Sequence, residues 1–471
     1  MSDDVNWPNV PPKWDVTTYN KLFANSCEEI PTIKLGEIIE KSDQFPIPFP
    51  TCSARCKILK NYIGEDILEK NINSTYPIVH EYVLHLYANF ILHKRKFGTS
   101  IEKDLYKDMT IEMLVDRLLT KRAVVFVGPL DFHVLMDKIE RFGNWESIGK
   151  PGEEEPLVLK NYLSYDEVKL SALLAVSSYS QFINIGNRAN KGKREDDESK
   201  IQRNGVIVGI VGPRFQKQNC MDYADIIITK EQNSKENGYG NLKTPSIQRL
   251  FINFFDEPCL TYKEVKKKFK NTNKFVTVEN KVYFNNVIYE RRLSLSFDTF
   301  LIEANERART VGKMAYVQVV GYGLGVWRIS NHHFLGNSLN NISDICFSYF
   351  HYDFCGKYKH GDVIDIPGHP SNGIKVHIFR REPHSKLEGS DEDKLLVVSY
   401  AWDGNSLPGN EYWTGSLDTS SDPAAASSSQ VAELQNAHIN PRLCGTSLRV
   451  ATLKGLLTIR QYREQIFNNN C

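Results

Sequence analysis

The chain has 471 residues, enough to bury a large core and more than one domain's worth of apolar surface. Its 58 basic and 57 acidic side chains leave a formal net charge of +1, so no global electrostatic argument points to nucleic acid or acidic lipid. Hydrophobic residues make up 41% and charged residues 24%, which suits a soluble globular protein, and no apolar run reaches the length of a membrane span.

The first stretch, MSDDVNWPNVPPKWD, is acidic and broken by prolines, without the apolar core of a signal peptide. Residues 1–50 are rich in turns and are expected to form an extended arm. From 51 to 122 the pattern is mostly helical. STYPIVHEYVLHLYANFILHKRK and IEKDLYKDMTIEMLVDRLLTKR set apolar residues three and four apart. His80, His85 and His93 lie five and eight residues apart, which makes no clean metal face, so packing or surface roles are expected. The nine cysteines are an odd, scattered set, and Cys52 and Cys56 have no second pair at zinc spacing. A reducing cytoplasmic or nuclear compartment is expected, and Asn-Ser-Thr at 73–75 reads as a coincidence rather than a glycosylation site.

AVVFVG (123–128) predicts a short strand. SYDEVKLSALLAVSSYSQFINIG (164–186) predicts a helix capped by Ser164. The charged stretch 187–204 predicts a mobile loop. GVIVGIVGPRF (205–215) predicts a buried strand ending in a Gly-Pro turn, and YADIIIT (223–229) another strand. A polar loop covers 230–244. Residues 262–275 predict a helix, with KEVKKKFKN (263–271) as its solvated side. Another helix is expected near 294–310. MAYVQVVGYGLGVWRI (314–329) predicts a strand opening into a glycine-rich loop. After NISDICFSYF (341–350), IKVHIFRR and KLLVVSYAW predict two more strands. DPAAASSSQVAELQNA (422–437) predicts a helix. Short apolar strands between long helices or loops imply a mostly parallel or mixed sheet covered on both faces. Ligands of such sheets bind beyond the carboxyl ends of strands, which singles out loops 128–132, 187–190, 212–222, 321–327 and 401–415.

Four stretches carry candidate chemistry. In VVGYGLGVW, Gly321, Gly323 and Gly325 alternate after a strand and expose amides that either cradle a phosphate or make a tight turn. AWDGNSLPGNEYW concentrates Asp403, Asn405, Asn410 and Glu411 with three aromatics between bend-forming glycines and a proline. Such a mixture holds sugar hydroxyls, or is a plain turn. In SSDPAAASSS, Ser421 or Asp422 can cap helix amides, and that helix start either is a cap alone or faces a diphosphate. After a helix, NIGNRANKG groups Asn187 and Arg188 where a phosphate can pair. Asp344 and Asp353 bracket ICFSYFHY without a shared face, and His351, Cys355 and His360 fit no common zinc site, so no metal site is assigned.

Together GVIVGIVGPRFQ, VQVVGYGLGVW, VVSYAWDGNSLPGNEYW and SDPAAASSS resemble the divergent macrodomain-like family related to the Legionella effector MavL, over roughly 200–465. The resemblance implies a three-layer α/β/α macrodomain-like mixed sheet with an N-terminal mostly helical extension, the domain spanning 123–471 with long insertions. It implies ADP-ribose as ligand or product, no required cofactor, and removal of ADP-ribose from arginine side chains of modified proteins, including ubiquitin in the bacterial case. Nucleic acid and membrane partners are not expected. Asp403 takes the water-activating or ribose-polarising role on this reading and Glu411 the reserve acid or base, with Asp344 and Asp353 as further acids. Gly321, Gly323, Leu324, Gly325 and Val326 would face the diphosphate, Asn405 and Asn410 the ribose or their own loop, Asp422 a cap or sugar, and Asn187 and Arg188 a phosphate. The other readings are a non-catalytic ADP-ribose reader, another NAD or nucleotide-sugar enzyme, and an interaction scaffold.

Overall fold

Runs of β-branched and aromatic residues between turn-formers become strands. The computed structural model describes residues 16–24, 30–268, 274–278, 281–319, 339–349 and 358–468. Its strands in chain order are β1 (Tyr76–His80), β2 (Val125–Val127), β3 (Phe132–Val134), β4 (Glu140–Arg141), β5 (Leu174–Gln181), β6 (Asn204–Ile210), β7 (Ile227–Ile228) and β8 (Phe275–Thr277). They continue as β9 (Tyr283–Asn285), β10 (Ala315–Val319), β11 (Ile342–Phe347), β12 (Val363–Ile364), β13 (Ile374–Ile378), β14 (Leu395–Ala401), β15 (Arg449–Thr452) and β16 (Gly455–Thr458).

One ten-stranded sheet runs β12–β13–β11–β10–β14–β6–β5–β1–β15–β16, and two three-stranded sheets hold β2–β3–β4 and β7–β9–β8. In the large sheet β13, β11, β10, β14 and β6 are mutually parallel, while β5 is antiparallel to both β6 and β1. The class is therefore mixed α/β, as expected. Every residue of β10 and β11 is buried, and β6 is buried from its second residue onward. Successive side chains of a strand point to opposite faces, so unbroken burial means that both faces are covered there.

The helix Asn286–Thr310 packs against β1, β5, β6, β10, β11 and β14. It starts well before the expected 294 because Asn285 caps it, accepting from the amides of Val287 and Ile288 at 3.1 and 3.2 Å. Other expectations need correction. Ser164 does cap a helix, in a reciprocal pair with Glu167, but that helix is Tyr165–Ser171, and Leu174–Gln181 is β5. The serines that blurred the strand pattern are buried and bonded: Ser178 Oγ accepts from Gln435 Nε2, and Ser180 Oγ from the amide of Gln430. YADIIIT opens as the short helix Tyr223–Ile226 and leaves only β7 as strand. The helix expected over 422–437 is two, Ser421–Ser428 and Val431–Leu434.

The arm expected over 1–50 contains the helix Leu35–Gln44, whose Leu35 and Ile38 are buried in a cluster with Leu434 and Ile439. The mostly helical stretch 51–122 contributes β1 to the large sheet, where it pairs with β5 and β15. Among the described residues no helix is long and apolar enough to cross a membrane.

Candidate active site

The site grows from the carboxyl end of β14, which lies between two parallel neighbours, β10 and β6. The last register pair toward β6 is Ala401 with Ile210. Just beyond it the chain is stitched down. The Arg122 guanidinium lies 3.8 Å from the Trp402 ring and donates to the carbonyls of Leu118, Asp403 and Ser406 and to Ser171 Oγ. Gly404 passes so close to the 171–172 backbone that a Cβ there would meet Ala172 N at 2.6 Å, so no larger residue fits without moving the turn. The Leu407 amide bonds the carbonyl of Ala123 at 2.9 Å.

Asn410 completes this frame. Its Oδ1 accepts from the Phe126 amide at 3.0 Å, and its Nδ2 donates to the Phe126 carbonyl at 3.1 Å and to Asp403 Oδ2 at 2.8 Å. Both amide hydrogens are thus committed, so Asn410 orients the Asp403 carboxylate and ties it to β2. The buried helix Ser421–Ser428 then brings Asp422 beneath the same turn, where its Oδ1 accepts from the Gly409 amide at 2.9 Å. Gly409 has φ +98°, and a Cβ there would meet Ala426 at 2.8 Å. That close approach explains the run of small residues in the helix. Neither Ser421 nor Asp422 acts as the expected cap: the helix is entered from Ser420 without a side-chain capping bond.

Three carboxyls therefore share one neighbourhood. Burial raises Asp403, against the charge of Arg214, the Asn410 hydrogen bond and the charge of Arg122. Burial raises half-buried Glu411, with a contribution from the Asp403 charge. Asp422 is driven well above the carboxylate range, first by burial and then by the charges of Asp403 and Glu411. Several polar atoms here are shut off from solvent and have no hydrogen-bond partner: Asp422 Oδ2, Asn405 Oδ1, Ser406 Oγ, Trp402 Nε1, and Arg214 Nε and Nη1. Unmatched buried polar atoms are costly, and their concentration around one turn marks a place that expects a polar ligand.

The remaining sequence candidates fall elsewhere. Asp344 sits on β11 level with Leu396, both being paired with Tyr316. The other end of β14, at Ala401, is about 16 Å further along the strands at 3.3 Å per residue, and Asp403 lies two residues past it. Asp344 is closed in by His377 Nε2 at 2.8 Å, Ser343 Oγ at 2.6 Å and an ion pair with Lys394. Burial opposes its ionisation, yet these three partners bring it down to about 2. Asn187 caps a short turn and donates to Glu382, while exposed Arg188 donates to the Thr419 carbonyl at 3.3 Å, beside the start of the Asp422 helix. Asp353, Gly321, Gly323, Leu324, Gly325 and Val326 lie outside the described residues.

The aromatics of the 401–415 loop are not a ligand platform. Trp413 packs against Phe45 and Phe49 with centroids 5.4 and 5.2 Å away, and Tyr412 donates to the Thr51 carbonyl. The N-terminal segment thus buttresses the loop. Sequence reasoning missed Arg122 and Arg214. Arg214 sits in loop 212–222, already singled out by position, but nothing in GPRF marks its guanidinium as buried. Among the described residues no group of three or more metal-ligating side chains comes together.

A profile described as ADP-ribosylhydrolase MavL-like matches residues 36–465. Two Drosophila melanogaster proteins are similar to nearly the whole chain. ADP-ribosylarginine hydrolase CG3568 is 38% identical over 98% of this chain and 95% of its own length. ADP-ribosylarginine hydrolase CG2909 is 36% identical over 99% and 97%. With a profile match across most of its length and two full-length relatives, the chain belongs to the MavL-like ADP-ribosylhydrolase family.

Proposed function

We propose that this protein hydrolyses the bond between ribose C1 and a guanidinium nitrogen of ADP-ribosylated arginine, releasing ADP-ribose from modified proteins. The observation that carries the reading is the group of three carboxyls at the end of β14, one with a buried and unmatched oxygen. The names of both relatives agree with it. Covered on both faces, the sheet suits a macrodomain-like α/β/α core.

Carboxyls with separated proton affinities divide acid and base work. Asp422, raised furthest, stays protonated and donates from Oδ2 to the leaving nitrogen as the C1–N bond breaks with its electron pair. Asp403 ionises first, because Asn410 and Arg214 favour its charge. It stabilises positive charge at C1 and takes the proton of the water whose oxygen bonds to C1. Arginine leaves as guanidinium, and solvent or Glu411 returns the proton from Asp403 to Asp422. Asn405, whose Oδ1 is unmatched, holds a ribose hydroxyl on this reading. No cofactor enters this scheme. The six described cysteines are free thiols, which supports a reducing cytoplasmic or nuclear setting.

Full-length protein incubated with peptides ADP-ribosylated on arginine, serine or glutamate tests the reading, with free ADP-ribose followed by mass spectrometry. Release from arginine alone is expected, and an ADP-ribosylated ubiquitin belongs among the protein substrates tried next. Binding of ADP-ribose without release would make the protein a reader. Neither binding nor release would sink both readings.

A further inference from the structure

Three buried or half-buried arginines stand behind the carboxyl group, and they differ in what holds them. Every nitrogen of the Arg122 guanidinium donates to the protein. The same is true of Arg292, which pairs with Asp222 at 2.8 Å and donates to Ser296 Oγ and to the carbonyls of Ala172, Val211 and Gly212. Arg214 is different. Its Nη2 reaches the Val168 carbonyl at 3.1 Å, but Nε and Nη1 have no partner and no solvent. The nearby carboxylate, Asp222, is already committed to Arg292 and to the backbone amide of Arg214. A guanidinium with two nitrogens unmatched and shut off from solvent is an expensive arrangement unless an anion completes it.

Position indicates which anion. Ala401 and Ile210 are register partners, so Asp403 lies two residues past that pair and Arg214 four residues past it on the neighbouring strand. Each feels the charge of the other. The carboxyls offer a diphosphate no positive charge, and Lys217, on the same loop, is taken by Asp131 at 2.6 Å. We infer that Arg214 is an anion-binding residue of this site and donates to the diphosphate of ADP-ribose from its unmatched nitrogens. A guanidinium keeps its charge and holds its N–H donors in a fixed plane, which suits phosphate oxygens. Holding the diphosphate there fixes the ribose over Asp403 using binding energy remote from the reacting carbon. The inference rests on ADP-ribose being the ligand.

Calorimetry on the full chain tests it, using ADP-ribose, inorganic pyrophosphate and adenosine as probes. Arg214→Gln should weaken ADP-ribose by about 10- to 100-fold, abolish pyrophosphate binding and leave adenosine unchanged. Arg214→Lys, which keeps the charge but not the fixed planar donors, should lose about tenfold and decides the matter if the glutamine variant does not fold. Unchanged ADP-ribose affinity in either folded variant, with the acid limb of the pH–rate profile moved upward, would overturn the inference and make Arg214 a residue that only keeps Asp403 ionised. Should wild-type protein bind pyrophosphate but not ADP-ribose, the hydrolase reading falls while the anion site stands, and loss of pyrophosphate binding in the variants still tests it.

Discussion

Two acidic sites lie toward opposite ends of the same parallel strands. In the amino-terminal half of β11, Asp344 meets a lysine, a histidine and a serine, and its carboxyl is held at about 2. Beyond the carboxyl end of β14, Asp403, Glu411 and Asp422 are crowded together, and all three are raised. Both sites are made of carboxylates packed into protein. The difference is compensation. A carboxylate given its own cation becomes a structural tie with no proton to trade near neutrality. Carboxylates set beside one another with too little positive charge keep proton affinities that chemistry can use, at a cost to the stability of the empty fold.

The largest expected effect breaks the comparison at its reactive end. Asp403→Asn should slow release of ADP-ribose from an arginine-linked peptide by about a thousandfold while keeping ADP-ribose affinity and melting temperature. Unchanged turnover would remove Asp403 from the chemistry. At the compensated end, Lys394→Met leaves Asp344 buried without its cation. It should cost about 3 kcal/mol in denaturant unfolding while turnover per folded molecule stays within about twofold, and adding Asp344→Asn should recover much of that loss. A stability cost near zero would show the pair to be idle.

The smallest effect is a matter of sign. Asp422 is raised in the folded state, so above the unfolded carboxyl range near 4 it holds a proton that the unfolded chain has lost, and stability falls as pH rises. Asp344 is lowered, so its contribution is present above about 4 and is lost as pH falls toward 2. Unfolding at a series of pH values should show Asp422→Asn flattening the slope between pH 5 and 7 by about 1 kcal/mol per pH unit, while leaving the loss below pH 4 intact. A slope unchanged by that substitution would mean that Asp422 is ionised in the fold.

Much of this architecture was legible because its signals are local. The Ser164–Glu167 reciprocal cap spans three residues, and the apolar runs of β6 and β14 need no partner to be read. Where local signals conflict, the fold decides. The serines of β5 look like neither core nor strand until Gln430 and Gln435 reach them from the other end of the chain. The prolines and turns of residues 1–50 hide a helix that is buried only because Leu434 and Ile439 come to meet it.

The sequence by itself determined the α/β class, the loop that carries Asp403 and the family resemblance, since each depends on residue types at short spacing. Only the tertiary structure decided which acids are crowded together and which are compensated. Asn410 finds Phe126 across 284 residues, and Asp344 finds Lys394 across 50. Arg214 is left half-matched because Asp222 is drawn to Arg292, 70 residues away. Proton affinity and ligand-binding capacity follow from burial and from partners brought together by folding, and neither is a property of the residue alone.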